Sequence, residues 1–381
     1  MLYFSLDDSQ DGKSDLFSDA DSLVVVAGNA TAEIQYHKST ALQLALFGYQ
    51  IPDTVLVLTK DTVYFLAGGK KAKLVEACAD AARDEAGKTL RVLAKGKTDD
   101  AAPLVQVCIR GLPRWAAASV DTLRLEPPQE LLAAVQGAGP KTGVLKSKEA
   151  PEGKLIANWL EVAQGLDTVD VTAGLSAFLS ERDEGQVLNS RKAAHLAASA
   201  VEHMVQTHVE KALDSGKAIS LEYLSKEADA VLHDPKGKMN VRLKTDSCDI
   251  AFTPSFQSGG SYQLKLAGST DGKAKLHPGC IVVSLGARYD FYCGMVTRTY
   301  LVDPTEAQER EYKALLAAQE AMAKALTAGA LLSAVYEAGV AAVRAAGAEH
   351  LVDLLPKNLG FATGLEVRLP GRLVHSLGFL D

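Results

Sequence analysis

Leu276-His277-Pro278-Gly279-Cys280-Ile281-Val282-Val283-Ser284-Leu285-Gly286-Ala287-Arg288-Tyr289-Asp290-Phe291-Tyr292-Cys293-Gly294-Met295-Val296-Thr297-Arg298-Thr299 decides the reading of this 381-residue chain. It lies in a strand-rich stretch, 249–302, punctuated by Gly259-Gly260, Pro278-Gly279 and Pro304, residue types that end strands and turn the backbone. On either side the apolar spacing becomes helical. It predicts helices over 186–215 and 221–232 before the strands, and over 306–327 and 331–346 after them. Two helical pairs framing antiparallel strands make an α+β lobe with room for an internal pseudo-repeat.

Toward the N-terminus short apolar runs alternate with helical stretches. Leu23-Val24-Val25-Val26-Ala27 precedes a helical segment over 40–47, in which Leu42, Leu44 and Phe47 are expected core residues. Val55-Leu56-Val57-Leu58 and Val63-Tyr64-Phe65-Leu66 then flank Lys60-Asp61, a hairpin turn. Gly68-Gly69 ends the second of these strands ahead of a helix over 70–86, and Lys70, Lys71 and Lys73 mark its start. Gly68-Gly69-Lys70 lacks the earlier glycine that a phosphate loop requires. Further strands are expected over 89–93 and 104–109. The stretch 126–153, with Pro127, Pro128, Gly137, Gly139 and Pro140, reads as a long polar connection. The texture changes near residue 175, giving an α/β lobe over 1–175 and the second lobe over 176–381.

Composition narrows the function classes. Forty basic against 47 acidic residues leave a net charge of −7, and the imbalance is diffuse: 18 against 23 over 1–175, and hence 22 against 24 over 176–381. Neither lobe has the basic excess of a protein that tracks phosphates, so direct sequence-specific nucleic-acid binding is not expected, whereas a basic protein partner is compatible. The five cysteines, Cys78, Cys108, Cys248, Cys280 and Cys293, are scattered and never form a CxxC pair, which argues against a disulfide framework or zinc knuckle and fits a reducing compartment. No eighteen apolar residues run together without a charge, and the first ten residues have neither a basic nor an apolar signal region. A chain neither secreted nor membrane-spanning is expected, with Asn29-Ala30-Thr31 an incidental glycosylation pattern.

The 276–299 stretch resembles the central hairpin of the pita-bread fold shared by methionine aminopeptidases and proline-specific peptidases. There a Pro-Gly turn leads into a strand ending in Asp-x-Gly, and a second Asp follows eleven positions later, ahead of a Thr-Arg-Thr strand. The resemblance implies that both aspartates would hold a dinuclear metal centre, since hard cations need several carboxylate oxygens before they acidify a bridging water. Here those positions are Ser284 and Met295, and a hydroxyl and a thioether do not replace two anions. Asn358-Leu359-Gly360-Phe361-Ala362-Thr363-Gly364 resembles the segment carrying a metal-binding His, and Phe361 stands in that place. Gln257-Ser258-Gly259-Gly260 resembles the turn before a substrate-positioning His, where Lys265 or Leu266 falls. The last two acidic ligands would lie some thirty residues beyond Phe361. His375-Ser376-Leu377-Gly378-Phe379 resembles a closing strand arriving early, so the final strands read as incomplete, through C-terminal truncation or internal deletion. The resemblance therefore implies no metal and no cofactor.

A more specific resemblance runs through five separated blocks. Ser39-Thr40-Ala41-Leu42-Gln43-Leu44-Ala45-Leu46-Phe47-Gly48-Tyr49 with Pro52-Asp53-Thr54, then Phe256-Gln257-Ser258-Gly259-Gly260, Ser284-Leu285-Gly286-Ala287-Arg288-Tyr289, Leu301-Val302-Asp303-Pro304-Thr305, and Asn358 to Glu366 are similar to the N-terminal domain of the large subunit of the FACT histone chaperone. The similarity covers residues 23 to 381. Met1 to Ala20, short and rich in Ser and Asp, departs from the family, which begins with a helix. The family implies a non-catalytic histone- or peptide-binding module in the nucleus, on chromosomes, working in nucleosome reorganisation during transcription, replication and repair. It implies core histones as partners, and an HMG-type small subunit contacted through regions of the family protein that lie beyond this domain. Two other readings stay open: a metal-free pita-bread protein with an RNA- or receptor-associated role, and an active metallo-aminopeptidase.

Ser284, Met295 and Phe361 are expected at the floor of the cleft, either as a converted peptide pocket or simply as filling for a vacated site. Arg298, Tyr289, Tyr292 and Lys265 are the candidate binding residues, an arginine to pair with a carboxylate, aromatics to line a groove, and the lysine that falls where the resemblance has a substrate-positioning His. His195, His203 and His208 share one predicted helix, where a five-residue interval is poor spacing for a common metal.

Overall fold

The computed structural model describes residues 17–29, 37–81, 89–95, 127–145, 152–265, 268, 273–367 and 372–374. The chain divides into two compact units, Met1–Asp183 and Glu184–Asp381.

The first unit is built on a six-stranded mixed sheet. In chain order its elements are β1 (Ser22–Ala27), α1 (Lys38–Phe47), β2 (Thr54–Leu58), β3 (Thr62–Gly68), α2 (Gly69–Ala81), β4 (Thr89–Lys95), α3 (Pro127–Ala138), β5 (Lys141–Val144), α4 (Lys154–Val162), β6 (Asp167–Asp170) and α5 (Thr172–Ser180). The strands lie in the order β4-β3-β2-β1-β5-β6. β2 pairs antiparallel with both neighbours, while β3 with β4, and β5 with β1 and β6, run parallel. The Lys60-Asp61 turn closes as the alternation predicts: the Thr59 amide donates to the Thr62 carbonyl at 2.9 Å, and the Thr62 amide donates back to the Thr59 hydroxyl at 3.1 Å. One buried glutamine ties α1 to β2. Gln43 Nε2 donates to the Ile51 carbonyl (3.0 Å) and the Thr54 hydroxyl (2.8 Å), and its Oε1 accepts from the Ile51 amide (2.9 Å). A buried amide with all three bonds made costs little and fixes one geometry. Leu42, Leu44 and Phe47 are buried on α1.

The 126–153 stretch is not a polar connection. Pro127 and Pro128 open α3, where a missing amide hydrogen costs no intrahelical bond, and Leu131 and Val135 bury one side of it against Val57, Leu66 and Trp159. Gly139 and Pro140 then end the helix and β5 follows. The proline pair starts a helix rather than breaking one. The strand expected over 104–109, residues 1–16 and residues 375–381 lie outside the described residues.

The second unit begins with a long helix, α6 (Glu184–Met204), a π turn over Val205–Val209 and α7 (Glu210–Ser215), where a single helix over 186–215 was expected. α8 (Leu221–His233) starts at Ser220, whose hydroxyl accepts from the Tyr223 amide at 3.2 Å, and the short α9 (Pro235–Met239) follows. Next come β7 (Cys248–Gln257), β8 (Cys280–Tyr289) and β9 (Tyr292–Leu301), an antiparallel sheet in that order. α10 (Glu306–Ala325), opened by a Thr305–Gln308 capping box, and α11 (Leu332–Ala345) pack through Ala314, Ala318 and Val343. A two-stranded ribbon, β10 (Asn358–Phe361) with β11 (Arg372–Val374), completes the described part.

The core of this unit lies between the helices and one face of the β7-β8-β9 sheet. Ile281, Val283, Leu285 and Ala287 of β8 and Phe256 of β7 bury against Leu196, Ala200 and Met204 of α6 and Leu224 and Val231 of α8. Alternation along a strand sends every second side chain to the opposite face. That opposite face contains the positions on which the sequence reading turned.

Candidate functional site

The β8-β9 hairpin turns at Asp290 and Phe291, both in the left-handed region (φ 45° and 71°), as a two-residue hairpin turn of the primed type requires. Tyr289 therefore faces Tyr292, and the register runs without a slip to Cys280 opposite Leu301. Ser284 faces Thr297 and Gly286 faces Met295, so Ser284 and Met295 are diagonal neighbours on one face. From β7, Ser255 stands opposite Ser284, Phe252 opposite Gly286 and Gln257 opposite Val282.

What fills this face is hydroxyl, ring and thioether. Ser284 Oγ lies 2.9 Å from Thr297 Oγ1. The Phe252 ring lies directly over Gly286: a methyl group there would stand 2.2 Å from its Cε1 atom. Met295 packs with Ala251, Phe252, Cys293 and Val367. The Phe361-bearing segment is tied to the start of β9, where the Gly364 carbonyl accepts from the Cys293 amide at 2.7 Å, and Phe361 itself is half-buried opposite Arg372. The loop after β7 folds back on the same face. Gln257 Nε2 donates to the Gln263 carbonyl (3.1 Å), Gln257 Oε1 accepts from the Gln263 amide (2.6 Å), and Ser255 donates to the Gly268 carbonyl (3.1 Å). Arg288 is buried at the far end.

The pita-bread relationship implies a dinuclear metal at this face, and the residues present do not fit one. Its two central positions carry a hydroxyl already bonded to a neighbouring hydroxyl and a sulfur packed among apolar groups, and the ring of Phe252 takes the space beside them. Hard divalent cations need carboxylate or water oxygens, which this packing does not offer. Among the described residues no three His, Cys, Asp or Glu side chains converge as a ligand set. Nor does the cysteine of β7, which belongs to the helix-side core, supply a nucleophile. Cys248 donates its thiol to the Lys244 carbonyl at 3.3 Å and is pushed up to about 11, first by burial and then by the charge of Asp290. What the face can do is bond through hydroxyls and amides and pack against apolar groups.

The structure separates the candidate residues. Ser284 and Met295 share a face. Arg298 pairs with Val283 and so projects to the helix side, exposed, with its guanidinium donating to the Thr297 carbonyl at 2.9 Å. Tyr289 belongs to the helix-side core, its ring beneath Lys192 Nζ at 4.7 Å, and Tyr292 opposes it at the hairpin end. Lys265 is exposed after β7, and its carbonyl accepts from the Gly268 amide at 3.0 Å. Thr297, Phe252 and Gln257 are not among the sequence-derived candidates for this face. A located hairpin turn would have found Thr297, because the register follows from the turn.

Comparisons with known proteins agree with this architecture. Residues 1–119 match the family model of the FACT complex subunit SPT16 N-terminal lobe domain, and residues 189–377 match that of metallopeptidase family M24. The chain is 34% identical over 95% of its length to FACT complex subunit SPT16 of Arabidopsis thaliana, and 32% identical over 94% to the same subunit of Zea mays. It spans about a third of the length of these curated relatives, 32% in each case. Among solved structures, the N-terminal domain of FACT complex subunit SPT16 from chickpea superposes with a TM-score of 0.81 at 30% identity, covering 95% of this chain and 80% of that one. The prolidase of Pyrococcus furiosus superposes with a TM-score of 0.62 at 14% identity, covering 93% of this chain and 83% of that one, and so shares the fold alone. With the pita-bread unit, the Gln43-anchored N-terminal lobe and a whole-domain relative at 30% identity, the chain belongs to the family of FACT complex subunit SPT16 N-terminal domains.

Proposed function

We propose that this chain is a non-catalytic histone- or peptide-binding module of a FACT-type histone chaperone, acting in the nucleus on chromatin, where nucleosomes are reorganised during transcription, replication and repair. The observation that supports it most directly is the Ser284–Thr297 hydroxyl pair beside Met295 and Phe252. It stands where the peptidase fold places anionic ligands and leaves a surface suited to binding rather than bond cleavage. Core histones are the partners of this reading. The charge balance is consistent with them, since a body of net charge −7 attracts basic chains and repels nucleic acid. The HMG-type subunit belongs to the parts of the relatives that this chain does not span.

The family's peptidase ancestry favours one competing reading, an active metallo-aminopeptidase, because residues 189–377 match that family. Two measurements separate them. Incubated with X-Pro peptides and added manganese or cobalt, the chain should give no turnover above the buffer blank. In a pull-down against reconstituted histones and against single-stranded RNA at the same salt, histones should be retained and RNA lost. Metal-dependent turnover overturns the non-catalytic reading, and preferential retention of RNA replaces the histone reading with that of a metal-free pita-bread protein with an RNA- or receptor-associated role.

A further inference from the structure

One stretch of the second unit reverses the sign of the chain. Pro235-Lys236-Gly237-Lys238-Met239-Asn240-Val241-Arg242-Leu243-Lys244 holds four cations and no carboxylate, in a chain of net charge −7. Its folding sorts the cations from the hydrocarbon. Pro235 is buried at the first turn of α9, where Asp234 accepts from the Gly237 amide at 3.0 Å. Asn240 ends that helix in the left-handed region, and the alternation after it half-buries Val241 and Leu243. Met239 and Leu243 pack against the core below. Lys236, Lys238, Arg242 and Lys244 are all exposed.

A fifth exposed cation, Lys211, joins them from α7. α9 packs on both α6 and α8. Burial first, and then the charges of Lys211 and Lys238, hold the His203 imidazole below the usual histidine range, and His208 is lowered by burial with the same two lysines adding to it. Each ring feels both ammonium groups, so the two lysines share one patch. None of the five cations makes an ion pair with a described residue. Elsewhere in the same unit Lys226, Lys313 and Arg344 are held by Glu222, Glu309 and Glu349. Tyr223 of α8, 45% exposed, stands at the border of the patch, its ring 6.1 Å from that of His208.

We propose that Lys211, Lys236, Lys238, Arg242 and Lys244 form a docking surface for an acidic segment of a partner protein, a run of Asp and Glu side chains with one apolar residue to cover Tyr223. Basic clusters capture acidic motifs in this way, and a stretch anchored in the core by Pro235, Met239 and Leu243 has little backbone freedom left to lose on binding. The surroundings favour a protein segment over nucleic acid. Glu210 and Asp214 flank Lys211 along α7, and Asp234 and Asp246 bound the stretch at its two ends. A short acidic run stays within that border, whereas a polynucleotide carries phosphates across it. A single exposed aromatic suits one side chain rather than a series of stacked bases. The surface lies on the helix side of the unit, apart from the β7-β8-β9 face, and does not rest on the histone reading, which draws on the acidic remainder of the chain.

The test titrates the whole chain into a fluorescein-labelled, glutamate-rich peptide of about ten residues with one leucine, which spans roughly 33 Å when extended, and reads its anisotropy. Saturable binding that weakens as salt is added is expected. Lys238→Glu/Arg242→Glu should weaken it at least about tenfold, while Lys324→Glu/Lys357→Glu, the same charge change at exposed positions elsewhere, should alter it less than about twofold. Single-stranded DNA of matched charge should compete poorly for the wild-type chain. No saturable binding, binding retained in Lys238→Glu/Arg242→Glu, an equal loss in the control pair, or DNA that displaces the peptide at lower concentration than unlabelled peptide does overturns the proposal. The wild-type competition decides between peptide and polynucleotide even where a variant folds poorly.

Discussion

The β7-β8-β9 sheet shows one side Ile281, Val283, Leu285 and Ala287, and the other side Val282, Ser284, Gly286 and Arg288. All eight are buried, yet only the first set forms a core. On the helix side, burial removes hydrocarbon from water and stabilises directly. On the other, three polar side chains withdrawn from water are returned to partners: Ser284 with Thr297, Ser255 with Gly268, Gln257 with Gln263. Such exchanges contribute little net stability. The comparison teaches that the helix side holds the fold and the opposite side is free to differ from its peptidase relatives without unfolding.

Two glycines sharpen the contrast, one on each side. A Cβ on Gly294 would lie 2.2 Å from the backbone nitrogen of Ala194 and 2.5 Å from the carbonyl carbon of Ala193, both in α6. Backbone in a packed helix has nowhere to go. Gly294→Ala should therefore cost about 3 kcal/mol or more in urea unfolding, at the upper end for overpacking and the largest effect expected here. An unchanged midpoint would show that α6 rides freely on the sheet and that the helix side is not the rigid one.

Restoring the peptidase pattern is the next strongest test. A Ser284→Asp/Met295→Asp double variant places one carboxyl group at a buried and one at a partly buried position of this face, without a cation. Burial and mutual repulsion raise their folded values above the unfolded ones. Such groups destabilise when ionised, so the loss should be roughly 2 to 4 kcal/mol near neutral pH and shrink as the pH falls toward about 4. Manganese should recover none of it, given Phe361 in the third ligand's place. Recovery of the unfolding midpoint on adding manganese would break the comparison, by showing that two carboxylates suffice to rebuild a cation site.

Gly286→Ala is the counterpart of Gly294→Ala. The obstacle is now the Phe252 ring, 2.2 Å from the added carbon, and a side chain moves more cheaply than a backbone. A cost of about 1 to 2 kcal/mol is expected, partly recovered in Gly286→Ala/Phe252→Leu, with coupling read from the double-variant cycle. Additive losses would mean that ring and glycine do not share the strain.

The strands and helices of the second unit were legible because their signals are local. Pro278-Gly279, the alternation through 280–289 and the Thr305 cap each act on a few neighbouring residues, and the observed elements follow them. α3 was misread because proline means opposite things at the first and the middle turns of a helix. The face of Arg298 was not legible from strand content alone. A side chain's direction depends on the parity of the register, and the parity depends on which two residues turn the hairpin. Asp290 and Phe291 do so with left-handed φ values, which an aspartate tolerates but a phenylalanine does not advertise. The π turn was hidden for a related reason: Val205–Val209 has ordinary helix-compatible residues, and the extra residue is accommodated by packing.

The smallest predicted effect lies where the two sides meet, at the end of α8. His233 Nδ1 stands 2.7 Å from Asp229 Oδ1, and Nε2 stands 3.1 Å from Asp249 Oδ1 on β7. Burial pulls the imidazole down, but the bond to the Asp229 backbone and the charges of Asp229 and Asp249 outweigh it, and the net direction is upward. A raised histidine stabilises the fold while protonated. Its contribution is complete below the unfolded value of about 6.5 and fades as the pH rises through the folded value. With the His233 side chain 48% exposed, solvent screening holds the effect to at most about 1 kcal/mol. The stability gap between the chain and His233→Gln should therefore be widest below about pH 6 and close in mildly alkaline buffer. A gap that widened with pH would assign His233 a neutral packing role instead, and the clamp between α8 and β7 would then owe nothing to charge.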